Sequence, residues 1–181
     1  VKDVDILVNN AGFGNFGRFT ETDLTNDLEM IDLNIKTLHI LTKMFLRDMK
    51  KKNKGYILNV SSSASFQPGP LMSTYYSTKA YVLHLTEAIW YELKKEKSKV
   101  KVSCLCPGPV KTNFNSVAGV NFSIKPLSPK YVAKYAVDQT LKGKLVIVPG
   151  FKMKCARFFG KLLPHKLLMS ITYNIQKRKE K

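Results

Sequence analysis

The sequence is poor in cysteine and contains no long hydrophobic run. Its three Cys among 181 residues are too few, and odd in number, for a disulfide scaffold, which favours a reducing compartment, the cytoplasm. No apolar run reaches the roughly 18 residues that a membrane-spanning helix requires. These absences argue against a disulfide-rich secreted domain and against a bundle of membrane-spanning helices.

The cysteines and histidines also lack the spacing of a metal site. Cys104 and Cys106 lie on a predicted strand, where we expect them to point to opposite faces as small buried hydrophobic side chains. Cys155 stands alone near the C-terminus. The three histidines are scattered along the sequence: His39, His84 and His165. We therefore predict no metal site.

Acidic residues are scarce, with 13 Asp and Glu against 30 Lys and Arg, so the formal net charge is +17. Residues 1–49 carry 8 acidic and 5 basic side chains, whereas residues 50–181 carry 5 acidic and 25 basic ones. Basic regions of this kind occur in proteins that bind nucleic acid or anionic membranes. However, the Lys clusters at 50–54 and 94–99 coincide with predicted helix ends, which favour cations. We therefore favour solvated lysines and predict no nucleic-acid partner.

Apolar runs and helical periodicities alternate along the chain. Four short apolar runs predict buried strands at residues 4–9, 56–60, 100–106 and 145–148. Long amphipathic patterns predict helices at 24–49 (or two nearly continuous ones), at 74–97, and from Ser128 to Gly143. This alternation predicts an α/β fold, a parallel sheet covered on both faces. We expect one domain, with its main body at 1–150 and a basic, apolar tail at 151–181.

A tyrosine and a lysine stand four residues apart near the start of the second long helix. Tyr75 and Lys79 therefore point to one helix face. A nearby ammonium favours a phenolate, so we expect Lys79 to lower the pKa of Tyr75 and make it a proton donor and acceptor. Taken alone, the spacing favours an exposed helical pair without a catalytic role.

Polar residues follow or interrupt the apolar patterns at two further points. Ser62 follows a predicted strand, where open α/β sheets bind ligands, and its hydroxyl could stabilise charge on a substrate carbonyl. It could equally be one of several loop serines. Asn34 interrupts the apolar stripe of the first helix and needs polar partners if it is buried.

Small residues follow two strands. Asn9-Asn10-Ala11-Gly12 follows the first strand, and Pro107-Gly108-Pro109-Val110-Lys111-Thr112 follows the third. Small residues at such positions let a ligand approach the backbone closely. Each motif is weak evidence by itself.

Their order and spacing, taken together, resemble the short-chain dehydrogenase/reductase family over residues 4–150. The resemblance implies that Tyr75 is the general acid/base and that Lys79 binds the nicotinamide ribose and lowers the Tyr75 pKa. It implies that Ser62 orients the substrate carbonyl and that Asn34 holds a water in a proton relay. The sequence thus indicates an NAD(P)-dependent reductase or dehydrogenase acting on a carbonyl or an alcohol.

The same resemblance implies a cofactor site. Asn9, Ala11 and Gly12 match positions beside the adenosine, and a second set matches positions around the nicotinamide: Pro107, Gly108, Val110 and Thr112. Tyr75 and Lys79 also belong to the cofactor site. The cofactor is NAD or NADP, with NADP slightly favoured.

One family feature does not occur in the sequence. The family begins with a strand and a Gly-rich turn that holds the pyrophosphate, and Gly12-Phe13-Gly14 lacks the required register. We therefore expect a Rossmann-like, doubly wound parallel sheet truncated at its N-terminus, its first strands absent. We expect its first strand to be an exposed edge and this chain alone to be inactive or barely active.

The remaining expectations concern partners. Residues 151–181 interleave apolar and basic side chains, which predicts a lid over the substrate pocket or subunit packing, or contact with an anionic membrane. Apolar residues in the loop and tail favour a hydrophobic substrate; those in the loop are Phe114, Val117, Val120, Phe122 and Ile124. The helices at 24–49 and 74–97 resemble the family's dimer or tetramer contacts. The alternative function is a non-catalytic basic or membrane-surface protein on the same fold.

Overall fold

The structure is a computed structural model that describes residues 3–114, 118 and 125–178. Within these residues, four strands form one parallel sheet in the order β1-β2-β3-β4. The strands are β1 (Ile6–Asn9), β2 (Tyr56–Val60), β3 (Lys101–Leu105) and β4 (Val146–Ile147). The predicted parallel α/β sheet is confirmed, with shorter first, third and fourth strands than the apolar runs.

Helices connect consecutive strands, as parallel pairing requires. They are α1 (Leu24–Ile31), α2 (Leu38–Lys52), α3 (Ser73–Lys95) and α4 (Pro129–Leu141). Asp23 caps α1 by accepting a hydrogen bond from the Asn26 backbone N–H at 2.9 Å. The α2 helix ends at Asn53, whose φ of 49° is left-handed. The first predicted helix is thus two nearly continuous ones, joined by a π-helical turn (Asp32–Thr37).

The sheet is covered on both faces. On one face, Ile57 and Val102 pack with Met49 of α2 and Leu93 of α3. On the other face, Leu58 and further strand residues pack against Val132 and Ala136 of α4. Strand residues that alternate between two buried faces explain the nearly continuous apolar runs in the sequence.

The first strand is an edge of the described sheet, as predicted. It pairs in parallel with β2 alone, with Asn9 opposite Asn59. Ile6 and Val8 remain 45% and 47% exposed. Within the described residues, the backbone N–H and C=O groups on the outer side of β1 are available for further strand pairing.

The cysteine prediction is wrong in one respect. Cys104 and Cys106 do not point to opposite faces; their sulfur atoms lie 3.7 Å apart and both residues are buried. Residues two apart along an extended segment share a face, because side chains alternate with a period of two. Both thiols pack with Leu38, Val82 and Val148, so their prediction as small buried hydrophobic side chains is confirmed.

The C-terminal segment forms two further helices, α5 (Phe151–Gly160) and α6 (His165–Lys177). Met153 of α5 packs beside Gly108, and the Arg157 guanidinium lies 4.7 Å from the centroid of the Phe66 ring. Gln176 of α6 is buried and donates a hydrogen bond to the Tyr76 hydroxyl. Among the described residues, no helix is both long enough and apolar enough to span a membrane.

Candidate active site

One face of α3 carries the tyrosine and the lysine predicted from the sequence. Tyr75, Thr78 and Lys79 are all buried residues of this helix. Spacings of three and four residues put their side chains on the same side. The α3 helix therefore brings a phenol and an ammonium group together next to the carboxyl end of β2. The sequence also allowed an exposed Tyr–Lys pair, but in the structure both residues are buried.

The Ser62 side chain lies near the Tyr75 hydroxyl and acts to lower the pKa of that phenol. Ser62 follows β2 and caps a 3₁₀ turn (Ser63–Phe66), accepting a hydrogen bond from the Ala64 backbone N–H at 3.1 Å. The capping bond fixes the position of the Ser62 oxygen. The structure therefore brings Ser62 near Tyr75, although a loop separates the two residues in the sequence.

Burial raises the pKa of Tyr75 to about 12, while the nearby Ser62 side chain opposes the shift. This direction is opposite to the one predicted from the pairing with Lys79. The Lys79 Nζ lies 5.8 Å from the centroid of the Tyr75 ring. Loss of solvation therefore dominates the Tyr75 pKa in this structure.

Lys79 is anchored at both its backbone and its ammonium group. The Ser61 hydroxyl donates a hydrogen bond to the Lys79 carbonyl at 2.7 Å, and the Lys79 Nζ donates to the Val60 carbonyl at 3.1 Å. Burial lowers the pKa of Lys79 to about 8. An ammonium group has three donors, and within the described residues Val60 is its one hydrogen-bond acceptor.

Asn34 lies in the π-helical turn between α1 and α2, a type of distortion that is frequent at functional sites. Its amide nitrogen donates to the Phe13 carbonyl at 2.9 Å and to the Thr78 hydroxyl at 3.0 Å. Its side-chain oxygen accepts from the Phe13 backbone N–H at 3.2 Å. Asn34 thus fastens the loop after β1 to α3.

The Asn9 side chain is not part of this arrangement. Its amide nitrogen donates to Thr42 at 3.0 Å and to Asn59 at 2.8 Å, and Asn59 donates to Thr86 at 3.0 Å. We call these four residues, Asn9, Thr42, Asn59 and Thr86, the sheet cluster. They connect β1 and β2 to α2 and α3 beneath the candidate site.

The loop after β1 passes close to the Lys79 ammonium group. Ala11 and Gly12 are exposed. A Cβ added to Gly12 would lie 3.2 Å from the Lys79 Nζ and 2.8 Å from the Asn34 side-chain oxygen. Only a residue without a Cβ lets the backbone approach these two groups so closely. A buried ammonium group with donors to spare fits the hydroxyl groups of a ribose.

The loop after β3 meets the site from the other side. The Ser63 backbone N–H donates to the Pro107 carbonyl at 2.8 Å, which joins this loop to the turn that carries Ser62. Gly108 is in close contact with Met153 of α5. Val110 pairs with Leu127, and the Thr112 hydroxyl accepts from the Phe114 backbone N–H at 3.3 Å.

Three residues at the site were not predicted from the sequence. Ser61 anchors the Lys79 backbone, Thr78 holds Asn34, and Gly14 packs against the Tyr75 ring. Two of them are close in sequence to residues that were predicted: Ser61 precedes Ser62, and Thr78 lies between Tyr75 and Lys79. A search for the side chains that support the predicted ones could have found Ser61 and Thr78.

The family is shown by a direct match. A family model described as short chain dehydrogenase matches residues 1–120. This chain therefore belongs to the short-chain dehydrogenase family, whose members are NAD(P)-dependent oxidoreductases. The resemblance predicted from the motifs is confirmed.

Individual relatives share part of their length with this chain. The human protein "Dehydrogenase/reductase SDR family member 4" is 35% identical over 114 residues, which are 62% of this chain and 40% of that protein. The mouse protein "Estradiol 17-beta-dehydrogenase 11" is 28% identical over 176 residues, 97% of this chain and 59% of that protein. The chain thus spans less than two thirds of these relatives.

Solved structures share the fold. A short-chain dehydrogenase from Sphingobium yanoikuyae in complex with NADPH has a TM-score of 0.77 at 25% identity, covering 94% of this chain and 66% of that one. One from Burkholderia phymatum in complex with NAD has a TM-score of 0.77 at 21% identity, covering 88% and 66%. The Rossmann-like class of the predicted fold is confirmed.

Proposed function

We propose that the protein containing this chain is an NAD(P)-dependent oxidoreductase that interconverts a carbonyl and an alcohol. The observation that carries the proposal is the buried Tyr75, which lies one helical turn from the buried Lys79 and whose hydroxyl has the Ser62 side chain nearby. A proton donor, a second hydroxyl and a cation within one site can protonate a carbonyl oxygen and stabilise the charge that develops on it.

In this proposal Tyr75 donates the proton. Because burial raises its pKa to about 12, the phenol is protonated at neutral pH and can protonate a carbonyl oxygen as negative charge develops there. Ser62 donates a hydrogen bond to the same oxygen and stabilises that charge. When bound, the reduced nicotinamide supplies the hydride that the carbonyl carbon accepts. Oxidation of the alcohol reverses these steps.

Lys79 and the small residues around it would hold the nicotinamide half of the cofactor. The spare donors of the buried Lys79 ammonium suit ribose hydroxyls, and Gly12 lets the loop after β1 come close to them. The loop from Pro107 to Thr112 would hold the nicotinamide ring and its carboxamide. Positive charge on Lys79 near the phenol would also favour the phenolate that forms after proton transfer.

Asn34 has a positioning role in this proposal. Its side chain is bonded to Phe13 and Thr78, so it keeps the loop after β1 next to Lys79. Its further role in a water relay is an inference from the family, as is the adenosine contact of Asn9 and Ala11. NAD and NADP remain the two candidate cofactors.

The proposed substrate is hydrophobic. The Tyr75 ring packs with Met72 and Ala118, and its centroid lies 5.3 Å from that of Phe114. Apolar walls around a proton donor favour an apolar ketone or alcohol. The other loop residues on which this expectation rested, Val117, Val120, Phe122 and Ile124, lie outside the described residues.

The decisive experiment compares two neighbouring tyrosines in the full-length protein. Turnover of a panel of hydrophobic ketones is followed with NADPH and with NADH for the wild type, Tyr75→Phe and Tyr76→Phe. Because general acid catalysis contributes about 10²- to 10⁴-fold, Tyr75→Phe should lower kcat by that factor. Tyr76→Phe removes the same atom one residue away and should retain turnover.

Two results would contradict the proposal. Equal turnover by Tyr75→Phe and the wild type would remove Tyr75 from the reaction. A folded full-length protein that oxidises neither nucleotide with any ketone, and reduces neither with the corresponding alcohols, would favour the alternative of a non-catalytic binding protein.

A further inference from the structure

The two C-terminal helices expose an unusual number of large apolar side chains. Phe151, at the start of α5, is 80% exposed, and Leu162, just beyond its end, is 68% exposed. We call the exposed apolar residues of this segment the outer tail surface: Phe151, Phe158, Phe159, Leu162, Leu163, Leu167, Ile171 and Ile175. Single exposed apolar residues need no explanation, but a group of eight within 25 residues does.

Helical spacing separates this surface from the residues that hold the tail to the domain. In α6, Leu167, Ile171 and Ile175 follow one another at intervals of four, so they form one stripe. Thr172 and Gln176, one position further along, are buried. Because Gln176 is bonded to Tyr76 on α3, the Leu167–Ile175 stripe cannot turn inward while this contact lasts.

The helix α5 is arranged in the same way. Met153 and Arg157 contact Gly108 and Phe66 of the main body. Phe151 and Phe158, seven residues apart, form an exposed stripe. Both tail helices are thus amphipathic, but their more apolar stripes face away from the protein.

The charge around the outer tail surface is of one sign. Residues 151–178 contain no Asp or Glu and seven Lys or Arg. Exposed lysines flank the apolar residues on both helices and on the turn between them: Lys152, Lys154, Lys161, Lys166 and Lys177. A partner for this surface must therefore combine an apolar layer with negative charge.

We propose that the outer tail surface binds to the interface of an anionic lipid membrane, with α5 and α6 lying in the plane of the membrane. Their Phe, Leu and Ile side chains enter the boundary between headgroups and acyl chains, and the lysines contact anionic headgroups. This combination of side chains is the one that holds amphipathic helices at membrane surfaces. The proposal does not depend on the proposed reductase activity.

Charge and side-chain type distinguish this partner from two others. A second copy of the chain would place one basic tail against another, and like charges oppose that contact. Nucleic acid would match the charge, but five of the eight exposed residues are aliphatic, and bases stack on aromatic rings. An anionic membrane offers an apolar layer to the aliphatic side chains and negative charge to the basic ones.

The test measures binding of the full-length protein to vesicles. Flotation is compared for vesicles of phosphatidylcholine alone and of phosphatidylcholine with phosphatidylserine, at low and high salt. Binding should require phosphatidylserine and should fall by about tenfold or more at high salt, because salt screens exposed lysines.

Paired variants separate the tail from the rest of the surface. Leu162→Ser should weaken binding to the anionic vesicles by about tenfold. Leu24→Ser, in α1, changes an equally exposed leucine (70% against 68%) and should bind like the wild type. In the same way, Lys161→Glu should weaken binding by about tenfold, while Lys43→Glu in α2 should not.

Three outcomes would overturn the proposal. These are failure to float with either vesicle, equal binding to both vesicles, and equal losses from Leu162→Ser and Leu24→Ser. Light scattering of the same samples identifies the main competitor. Dimers that Leu162→Ser dissociates in the absence of vesicle binding would show that a second copy covers the tail.

Discussion

Two groups of polar side chains meet along α3, and they differ in whether their members satisfy one another's hydrogen bonds. The sheet cluster reaches α3 at Thr86, in the middle of the helix, and its amides and hydroxyls bond to one another. The site group consists of Tyr75 and Lys79, at the start of α3, and Ser62 of the turn after β2. Tyr75 and Lys79 are titratable, buried, and shifted in pKa by that burial.

The difference separates a structural network from a ligand site. Neutral groups that satisfy each other stabilise the fold and leave nothing to bind a ligand. A buried ammonium group with one hydrogen-bond acceptor destabilises the fold until a ligand provides further acceptors. The comparison predicts opposite effects on stability when each group is disrupted.

The largest effect on stability is expected in the sheet cluster. Asn59 is fully buried; it donates to Thr86, and its oxygen accepts from Asn9 and Thr42. Asn59→Ala leaves buried donors unpaired and should lower the free energy of unfolding by about 3 kcal/mol. Urea denaturation followed by circular dichroism measures the change.

A neighbouring asparagine provides the control for this prediction. Asn10 is exposed, so Asn10→Ala should change the free energy of unfolding by less than about 0.5 kcal/mol. Equal effects of Asn59→Ala and Asn10→Ala would show that the sheet cluster contributes little to stability.

A smaller effect of opposite sign is expected at Lys79. Because its pKa of about 8 in the folded state lies below the ordinary 10.5, the unfolded chain holds this proton more tightly. Stability should therefore rise with pH between about 8 and 10.5 in the wild type. Lys79→Met removes the buried charge and should be more stable than the wild type at pH 7, by about 2 kcal/mol.

Urea midpoints at pH 7 and at pH 10 test this prediction on cofactor-free protein. The advantage of Lys79→Met over the wild type should shrink at pH 10, where the wild-type lysine is largely neutral. Lys43→Met, at an exposed position, should show no such trend. A Lys79→Met protein less stable than the wild type at both pH values would contradict the account of Lys79.

The smallest effect concerns two serines on adjacent strand segments. The Ser103 hydroxyl is buried and has no hydrogen-bond partner among the described residues, whereas Ser61 donates to the Lys79 carbonyl. Ser103→Ala should be neutral or stabilising by less than about 1 kcal/mol, and Ser61→Ala should destabilise by about 1 kcal/mol. Thermal melts of the wild type and the two variants show whether each substitution raises or lowers the melting temperature.

Periodicity was enough to predict the elements that build the site. The apolar run at 56–60 and the helical stripe at 74–97 correspond closely to β2 and α3. Because the carboxyl ends of parallel strands meet at one edge of a sheet, the loops after β2 and β3 could be expected at one site. The Ser63 to Pro107 hydrogen bond joins them there.

Properties that depend on three-dimensional burial could not be predicted in the same way. The spacing of Tyr75 and Lys79 suggested a lowered tyrosine pKa, but the depth of burial determines the direction, and no local pattern encodes it. Likewise, Asn9 is next to Ala11 in the sequence, yet its side chain bonds to Asn59 across the sheet. The 100-residue separation between Tyr76 and Gln176 hides their contact from any local reading.

Nucleotide binding by the full-length protein tests the central claim most directly. Nicotinamide fluorescence is titrated with NADPH and NADH for the wild type, Lys79→Met and Ser103→Ala. The account predicts saturable binding of at least one nucleotide, weakened about tenfold or more by Lys79→Met, because a charged hydrogen bond is lost. Ser103→Ala should bind like the wild type. Binding of neither nucleotide, or equal binding by Lys79→Met and the wild type, would contradict the claim that the buried lysine is part of a nicotinamide site.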